Sequence, residues 1–190
     1  MIEWFLVPFA YLVGSVSSAI IVCRLMGLDD PRNQGSGNPG ATNVMRIGGK
    51  KAAAITLLGD ALKGFIPVFM AKTLGVDSEI LAVVAFAAFL GHLYPVFFGF
   101  KGGKGVATTL GVTLGVAWLL GFAVSATWYA VFKISKISSL SALVAAVLTP
   151  LYVWFIIKDT PLLIAFILIS VVLLWRHKTN IERLLAGEED

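Results

Sequence analysis

Apolar residues run along this chain in blocks rather than in alternation. Nearly unbroken apolar stretches occupy 2–23, 52–71, 80–99, 106–134, 140–157 and 161–175, each followed by a short segment rich in Gly, Lys, Arg, Asp or Ser. Blocks of about twenty residues match a helix crossing a hydrocarbon core of about 30 Å. The block 106–134 is too long for one crossing and marginal for two. Gly121, near its middle and beside Trp118, is expected to carry a tight interfacial turn between two short spans. The pattern therefore predicts an all-α polytopic membrane protein of seven transmembrane helices, two of them short, forming one domain over residues 1–190.

Composition agrees with that pattern. The chain is 58% hydrophobic and 14% charged, with a mean hydropathy of +0.89, too apolar for a soluble domain with a solvated face. The net charge of +4 is small, and no basic block interleaves with aromatics, so a nucleic-acid partner is not expected. Cys23 stands alone, which excludes an internal disulfide and fits a reducing compartment. The first block lacks the basic region and small-residue cleavage site of a removable signal and reads as a permanent span.

Basic residues choose the topology, because lysine and arginine collect on the cytoplasmic side. Seven spans with the N-terminus outside place Arg24, Arg32, Arg46, Lys50, Lys51, Lys101, Lys104, Lys133, Lys136, Arg176, Lys178 and Arg183 inside. Lys72 and Lys158 then lie outside, and Lys63 lies within a span. Six spans move Lys133, Lys136, Arg176, Lys178 and Arg183 outward and Lys158 inward, which cuts the asymmetry to eight inside against six outside. The seven-span arrangement, with the C-terminus cytoplasmic, is the expectation.

Candidate chemistry lies in the polar segments. Phe100-Lys101-Gly102-Gly103-Lys104-Gly105-Val106-Ala107-Thr108 concentrates glycine N–H groups and ammonium groups, as an anionic oxygen cluster requires. It is not a Walker A loop, because Gly105 follows Gly103-Lys104 where Ser or Thr belongs, and Phe98 replaces the first glycine. Gly35-Ser36-Gly37-Asn38-Pro39-Gly40 matches G-x-G-x-x-G but follows a membrane helix rather than a strand, so no dinucleotide fold follows. Asn38 is expected to N-cap a short helix with Pro39 at its first position, passing through Thr42 and Asn43 to Arg46; with Ser36 this forms a second anion site. An ordinary topogenic loop and an ordinary glycine-rich turn are the competing readings of these two segments.

Other polar residues are more ambiguous. Asp60 and Lys63 share a helical face deep in the second span, as a structural pair or as part of the chemistry. His92 precedes Pro95, whose expected kink turns the imidazole toward the inner face. Ser139 and Ser141 begin a helix, where capping also explains them. Beyond the last span, His177 and Asn180 fall on one face if the segment is helical, and the acidic residues Glu188, Glu189 and Asp190 are expected to be solvated.

Ser36-Gly37-Asn38-Pro39-Gly40-Ala41-Thr42-Asn43, Gly91-His92 with Pro95, the glycine-lysine stretch and Arg176-His177 with Asn180-Ile181 together resemble the acyl-phosphate-dependent glycerol-3-phosphate acyltransferase family of bacteria. The resemblance covers nearly the whole chain. It implies a cell inner-membrane enzyme with a cytoplasmic active site, taking acyl phosphate and glycerol 3-phosphate to lysophosphatidic acid and inorganic phosphate, with neither cofactor nor metal. It implies catalytic roles for Ser36, Arg46, Lys104, His177 and Asn180. Substrate contacts are expected from Gly37, Asn38, Gly40, Thr42, Asn43, Lys63, His92, Lys101, Gly102, Gly103, Gly105, Ser139 and Ser141, and structural roles from Asp60 and Glu182.

Two other classes would use similar residues. A carrier for a phosphorylated solute would line a path across the bilayer with cations, whereas here all but Asp60 and Lys63 fall on one side. A scaffold for anionic head groups would need clustered surface lysines but not His177 or Asn180.

Overall fold

The computed structural model describes residues 2–189, and every regular element among them is helical. The first apolar segment, Ile2–Leu25, is long and apolar enough to cross a membrane, but it is not one continuous helix. A 3₁₀ turn leads into α1 (Leu6–Gly14), and α2 (Ser18–Leu25) begins after a break at Ser15–Ser17. The small residues Gly14 and Ser15 at the start of this break let a neighbouring helix approach closely, since a Cβ on Gly14 would overlap the Ala88 carbonyl. They also interrupt the helix. The interruption frees the Val16 carbonyl, which accepts a hydrogen bond at 2.7 Å from Lys63 Nζ; in lipid such a group must find an internal partner.

The helix α3 (Ala41–Thr73) is 33 residues long and is broken at Gly49, whose φ of 75° and ψ of −171° lie outside the helical region. Its first part carries Asn43 and Arg46 and its longer second part carries Asp60 and Lys63. The next helix, α4 (Ser78–Leu93), ends before Pro95. Pro95 therefore kinks no helix, and His92 sits in the last turn of α4, 5% exposed.

The long apolar block divides at Ala117, not at Gly121. Ala117 is extended, with φ −158° and ψ 134°, between α5 (Val106–Val116) and α6 (Trp118–Ser135). Gly121 is instead helical, in the first turn of α6, where a Cβ would overlap Leu114. The short α5 crosses α3 at backbone distance. Cβ atoms on Gly111 and Gly64 would overlap the Ala61 and Thr108 carbonyls, and one on Gly115 would sit 3.0 Å from Val68. Gly111 and Gly115 form a G-x-x-x-G pair, the spacing that allows membrane helices to meet closely.

The remaining helices are α7 (Ser138–Tyr152), which continues through a π turn to Ile157, α8 (Thr160–Arg176) and α9 (Lys178–Ala186). Asp159 caps α8 by accepting from the Leu162 amide at 2.9 Å. Five helical segments are long and apolar enough to cross a membrane, or six if α8 is counted with α9, to which it is bent by 57°. At 11 residues α5 is shorter, about 16 Å at the helical rise of 1.5 Å per residue. The protein is an integral membrane protein whose apolar interior centres on α4, with Phe89, Leu93, Leu120 and Phe166 fully buried.

Candidate active site

Three polar segments meet at one end of the helices. Residues 26–40, together with the start of α3, form the first. Asn43 organises it: the amide accepts from the Ser36 N–H at 2.9 Å and donates to the carbonyls of Pro31 and Gln34 at 2.8 and 3.0 Å. A 1% exposed side chain with three such bonds holds the loop that carries Ser36. The expected cap is displaced, for α3 starts at Ala41 with Gly40, not Asn38, at the N-cap. Arg32 ties the loop to the second segment, pairing with Asp30 at 2.7 Å and donating to the Phe98 carbonyl at 2.9 Å.

The second segment is the glycine-lysine loop. Its amides are not all turned toward a ligand, as the sequence suggested. Gly102 N–H donates to the Leu93 carbonyl at 3.1 Å and Gly103 N–H to the His92 carbonyl at 3.2 Å. Glycine is required there by close approach: a Cβ on Gly102 would overlap the His92 carbonyl, and one on Gly103 the His92 ring. Arg176 fastens the other edge by donating to the carbonyls of Gly102 and Gly103 at 3.1 and 3.0 Å. The loop is thus a mount that aims Lys104.

The third segment is the α8–α9 junction. His177, 3% exposed, caps α8 just beyond its membrane-crossing part. Its Nδ1 lies 2.8 Å from the Leu173 carbonyl, which fixes the proton on Nδ1 and leaves Nε2 as an acceptor. Burial pushes the imidazole down to about 4, with the Leu173 hydrogen bond opposing and the Lys104 charge assisting. Asn180, in the first turn of α9, accepts from Lys104 Nζ and donates to Glu189 at 2.5 Å. Burial, together with the charge of Arg183, holds the Lys104 ammonium below the ordinary lysine range.

Glu189 corrects the sequence reading of the acidic residues. Its side chain is 6% exposed and accepts from Arg183 Nε at 2.5 Å. Burial raises its carboxyl, but the hydrogen bonds, Arg183 foremost, outweigh that and hold it below the usual carboxylate range. Glu188 is exposed, as expected, and Asp190 lies outside the described residues.

These segments enclose a cavity of about 280 Å³ with two kinds of wall. Ser36, Asn38, Thr42, Arg46, Lys104, His177, Asn180, Arg183 and Glu189 give it a polar end; Leu57, Val106, Leu110, Val124, Ala142 and Ala145 give it an apolar one, with Trp128 alongside. All five residues predicted to be catalytic line it. So do Asn38, Gly40, Thr42, Asn43, Asp60, His92, Gly105 and Ser139.

Several predicted contacts do not reach it. Gly37, Lys101, Gly102 and Gly103 are outside the lining, as is Glu182, for which a structural role was expected; Ser141 is buried and donates to the Ile137 carbonyl at 2.8 Å. Lys63 lies behind the wall, paired with Asp60 at 2.8 Å, and His92 Nδ1 stands 3.7 Å from the same carboxylate oxygen. Arg183 and Glu189 were not anticipated as site residues; the only sequence signal was that Arg183 lies one helical turn after Asn180. Among the described residues, no three of His, Cys, Asp and Glu converge as metal ligands.

Comparison with known proteins bears on this site. A family model described as glycerol-3-phosphate acyltransferase matches residues 4–187. A protein of that name from Methylococcus capsulatus is 60% identical over 188 residues, covering 99% of this chain and 95% of the relative. One from Thioalkalivibrio sulfidiphilus is 60% identical over 184 residues, covering 97% and 91%. Two solved structures are of PlsY (YgiH), described as an integral membrane glycerol 3-phosphate acyltransferase. Its glycerol 3-phosphate form is 42% identical with a TM-score of 0.95, and its lysophosphatidic acid form is 41% identical with a TM-score of 0.93; each comparison covers 100% of this chain and 95% of the other.

Proposed function

The chain belongs to the glycerol-3-phosphate acyltransferase family, and we propose that it transfers an acyl chain from acyl phosphate to the 1-hydroxyl of glycerol 3-phosphate. The products are lysophosphatidic acid and inorganic phosphate. The observation that carries this reading is that one cavity is lined both by the cations Lys104, Arg46 and Arg183 and by apolar side chains. A phosphorylated polar acceptor suits the first and an acyl chain the second. The solved relatives are named in forms that correspond to this acceptor and this product.

The glycerol oxygen attacks the acyl carbon, the carbon–oxygen bond to phosphate breaks, and the hydroxyl proton passes to a phosphate oxygen of the donor. A mixed anhydride is already activated, so positioning and neutralisation of developing charge are the protein's tasks. Lys104, Arg46 and Arg183 supply cations, and Ser36 and Asn180 supply hydrogen bonds. His177 is a poor base at neutral pH with its imidazole held near 4, which supports substrate-assisted proton transfer with His177 as an orienting group.

The enzyme is placed in the bacterial cell inner membrane with seven crossings, α5 among them, the N-terminus outside, and this site on the cytoplasmic face. The basic residues on one side support that orientation. Purified protein given acyl phosphate and glycerol 3-phosphate should release phosphate and form lysophosphatidic acid in equal amounts. Turnover with acyl-CoA but not with acyl phosphate would overturn the proposed donor.

A further inference from the structure

We propose that Arg183 is a phosphate-binding residue of this site and that Glu189 is an internal competitor for its guanidinium. The proposal rests on the cavity being where a phosphorylated substrate binds. Glu189 offers one carboxylate oxygen to Arg183 Nε and the other to Asn180 Nδ2, each at 2.5 Å. Asn180 in turn accepts from Lys104 Nζ. Two oxygens of one anion spread over an arginine and an amide beside a lysine is the arrangement two phosphate oxygens would take.

The backbone delivers the carboxylate deliberately. Gly187 has a φ of 72°, its N–H donates to the Leu184 carbonyl at 3.2 Å, and the Glu188 N–H donates to the Arg183 carbonyl at 2.8 Å. This pair of bonds is the Schellman termination, which reverses the chain after a helix. Glu188 is left exposed, and Glu189 folds back into the cavity wall. Arg183, with a side chain 42% exposed against 6% for Glu189, can turn toward an incoming anion without leaving α9. A phosphate dianion carries more charge and more oxygens than a carboxylate, so Glu189 weakens substrate binding without abolishing it.

Apparent affinity scales with the fraction of molecules whose donors are available, so a carboxylate engaged about nine-tenths of the time weakens binding about tenfold. Calorimetric titration of the purified full chain with glycerol 3-phosphate, and separately with inorganic phosphate, tests this. Glu189→Gln should tighten both by about tenfold, Glu188→Gln should leave both unchanged, and Arg183→Gln should weaken both by a similar factor. The opposite signs for Glu189 and Arg183 are diagnostic, since a purely structural ion pair would lose binding from either side. Weakening in both variants, or no change in Glu189→Gln, would overturn the proposal. Tightening in Glu189→Gln with no turnover of acyl phosphate would sink the proposed donor and leave this inference standing.

Discussion

Gly103 and His92 are fitted to each other twice: the Gly103 amide donates to the His92 carbonyl at 3.2 Å, and the His92 ring fills the space where a Gly103 side chain would begin. Together they fix the direction in which Lys104 leaves the loop, because Gly103 is its immediate neighbour.

Gly103→Ala should therefore act through geometry. The added methyl meets a buried ring and the Pro39 carbonyl at 3.1 Å, and overpacking of this kind costs about 1–3 kcal/mol. We expect a lower Tm in detergent and a fall in kcat/KM, whereas Gly99→Ala, where a Cβ meets nothing within 4 Å, should cost only its positive φ, about 1 kcal/mol. Equal effects at the two positions would count against the mount.

Lys104→Ala removes a half-buried cation that lines the cavity. If phosphate is neutralised there, kcat/KM for glycerol 3-phosphate should fall about 10²–10³-fold, the loss seen when one charge-stabilising donor is deleted. Unchanged kinetics from a folded variant would remove Lys104 from the site.

His177 has its imidazole at about 4, below the ordinary 6.5. A histidine depressed in the folded state favours folding above its unfolded value and loses that contribution as pH falls toward the folded one. Stability should therefore decline from pH about 6.5 to about 4, and His177→Gln should lack that component. The same variant should retain activity with its neutral-pH profile intact, as the glutamine amide can donate one hydrogen bond and accept another, as His177 does, but is no base. Abolished turnover with substrate binding preserved would assign the proton to His177.

Lys63→Met leaves the buried Asp60 carboxylate with only the His92 ring beside it, at 3.7 Å, and the Val16 carbonyl without its donor. Breaking a buried pair from one side costs about 3–5 kcal/mol. Adding Asp60→Asn should restore much of the Tm; failure of the second change to help would mean that the carbonyl contact, not the ion pair, dominates.

The orientation is tested by cysteines at exposed lysines. Lys101→Cys should react with an impermeant thiol reagent only in inverted vesicles and Lys158→Cys only in right-side-out ones. Reaction of both from the same face would refute the seven-crossing arrangement.

The apolar blocks were legible because a helix in lipid must be apolar along its whole length, so α8 stood out at nearly its observed bounds and α4 at its start, while the apolar run past Leu93 hid the end of α4. Interruptions were harder to place. Gly121 looked like a turn, yet the chain breaks at Ala117, because Gly121 is needed where α6 passes Leu114. The pairing of Gly111 and Gly115 with Gly64 was present as a spacing, but nothing local says which helix a small-residue stripe faces. The polar segments that line the cavity were marked by composition, since glycine and lysine together suit an anion site, although a topogenic loop between apolar blocks uses the same residues. Their division of labour was not, since the Gly102 and Gly103 amides are taken by carbonyls of α4. Glu189 was misread because solvation is the usual fate of an acidic residue near an end, and only the reversal at Gly187 turns it inward.

The bond from Lys63 to Val16 also bears on how the protein is made. A lysine at the centre of a helix entering the bilayer costs about 2.5–3.5 kcal/mol at insertion, and α3 carries one together with Asp60. The carbonyl that receives it belongs to a segment translated earlier, so the acceptor is already in the membrane when α3 emerges from the ribosome. Biosynthetic order and stabilising order coincide. A circularly permuted chain that delivered α3 first would hold that lysine in lipid, or in the insertion machinery, until the segment bearing Val16 arrived.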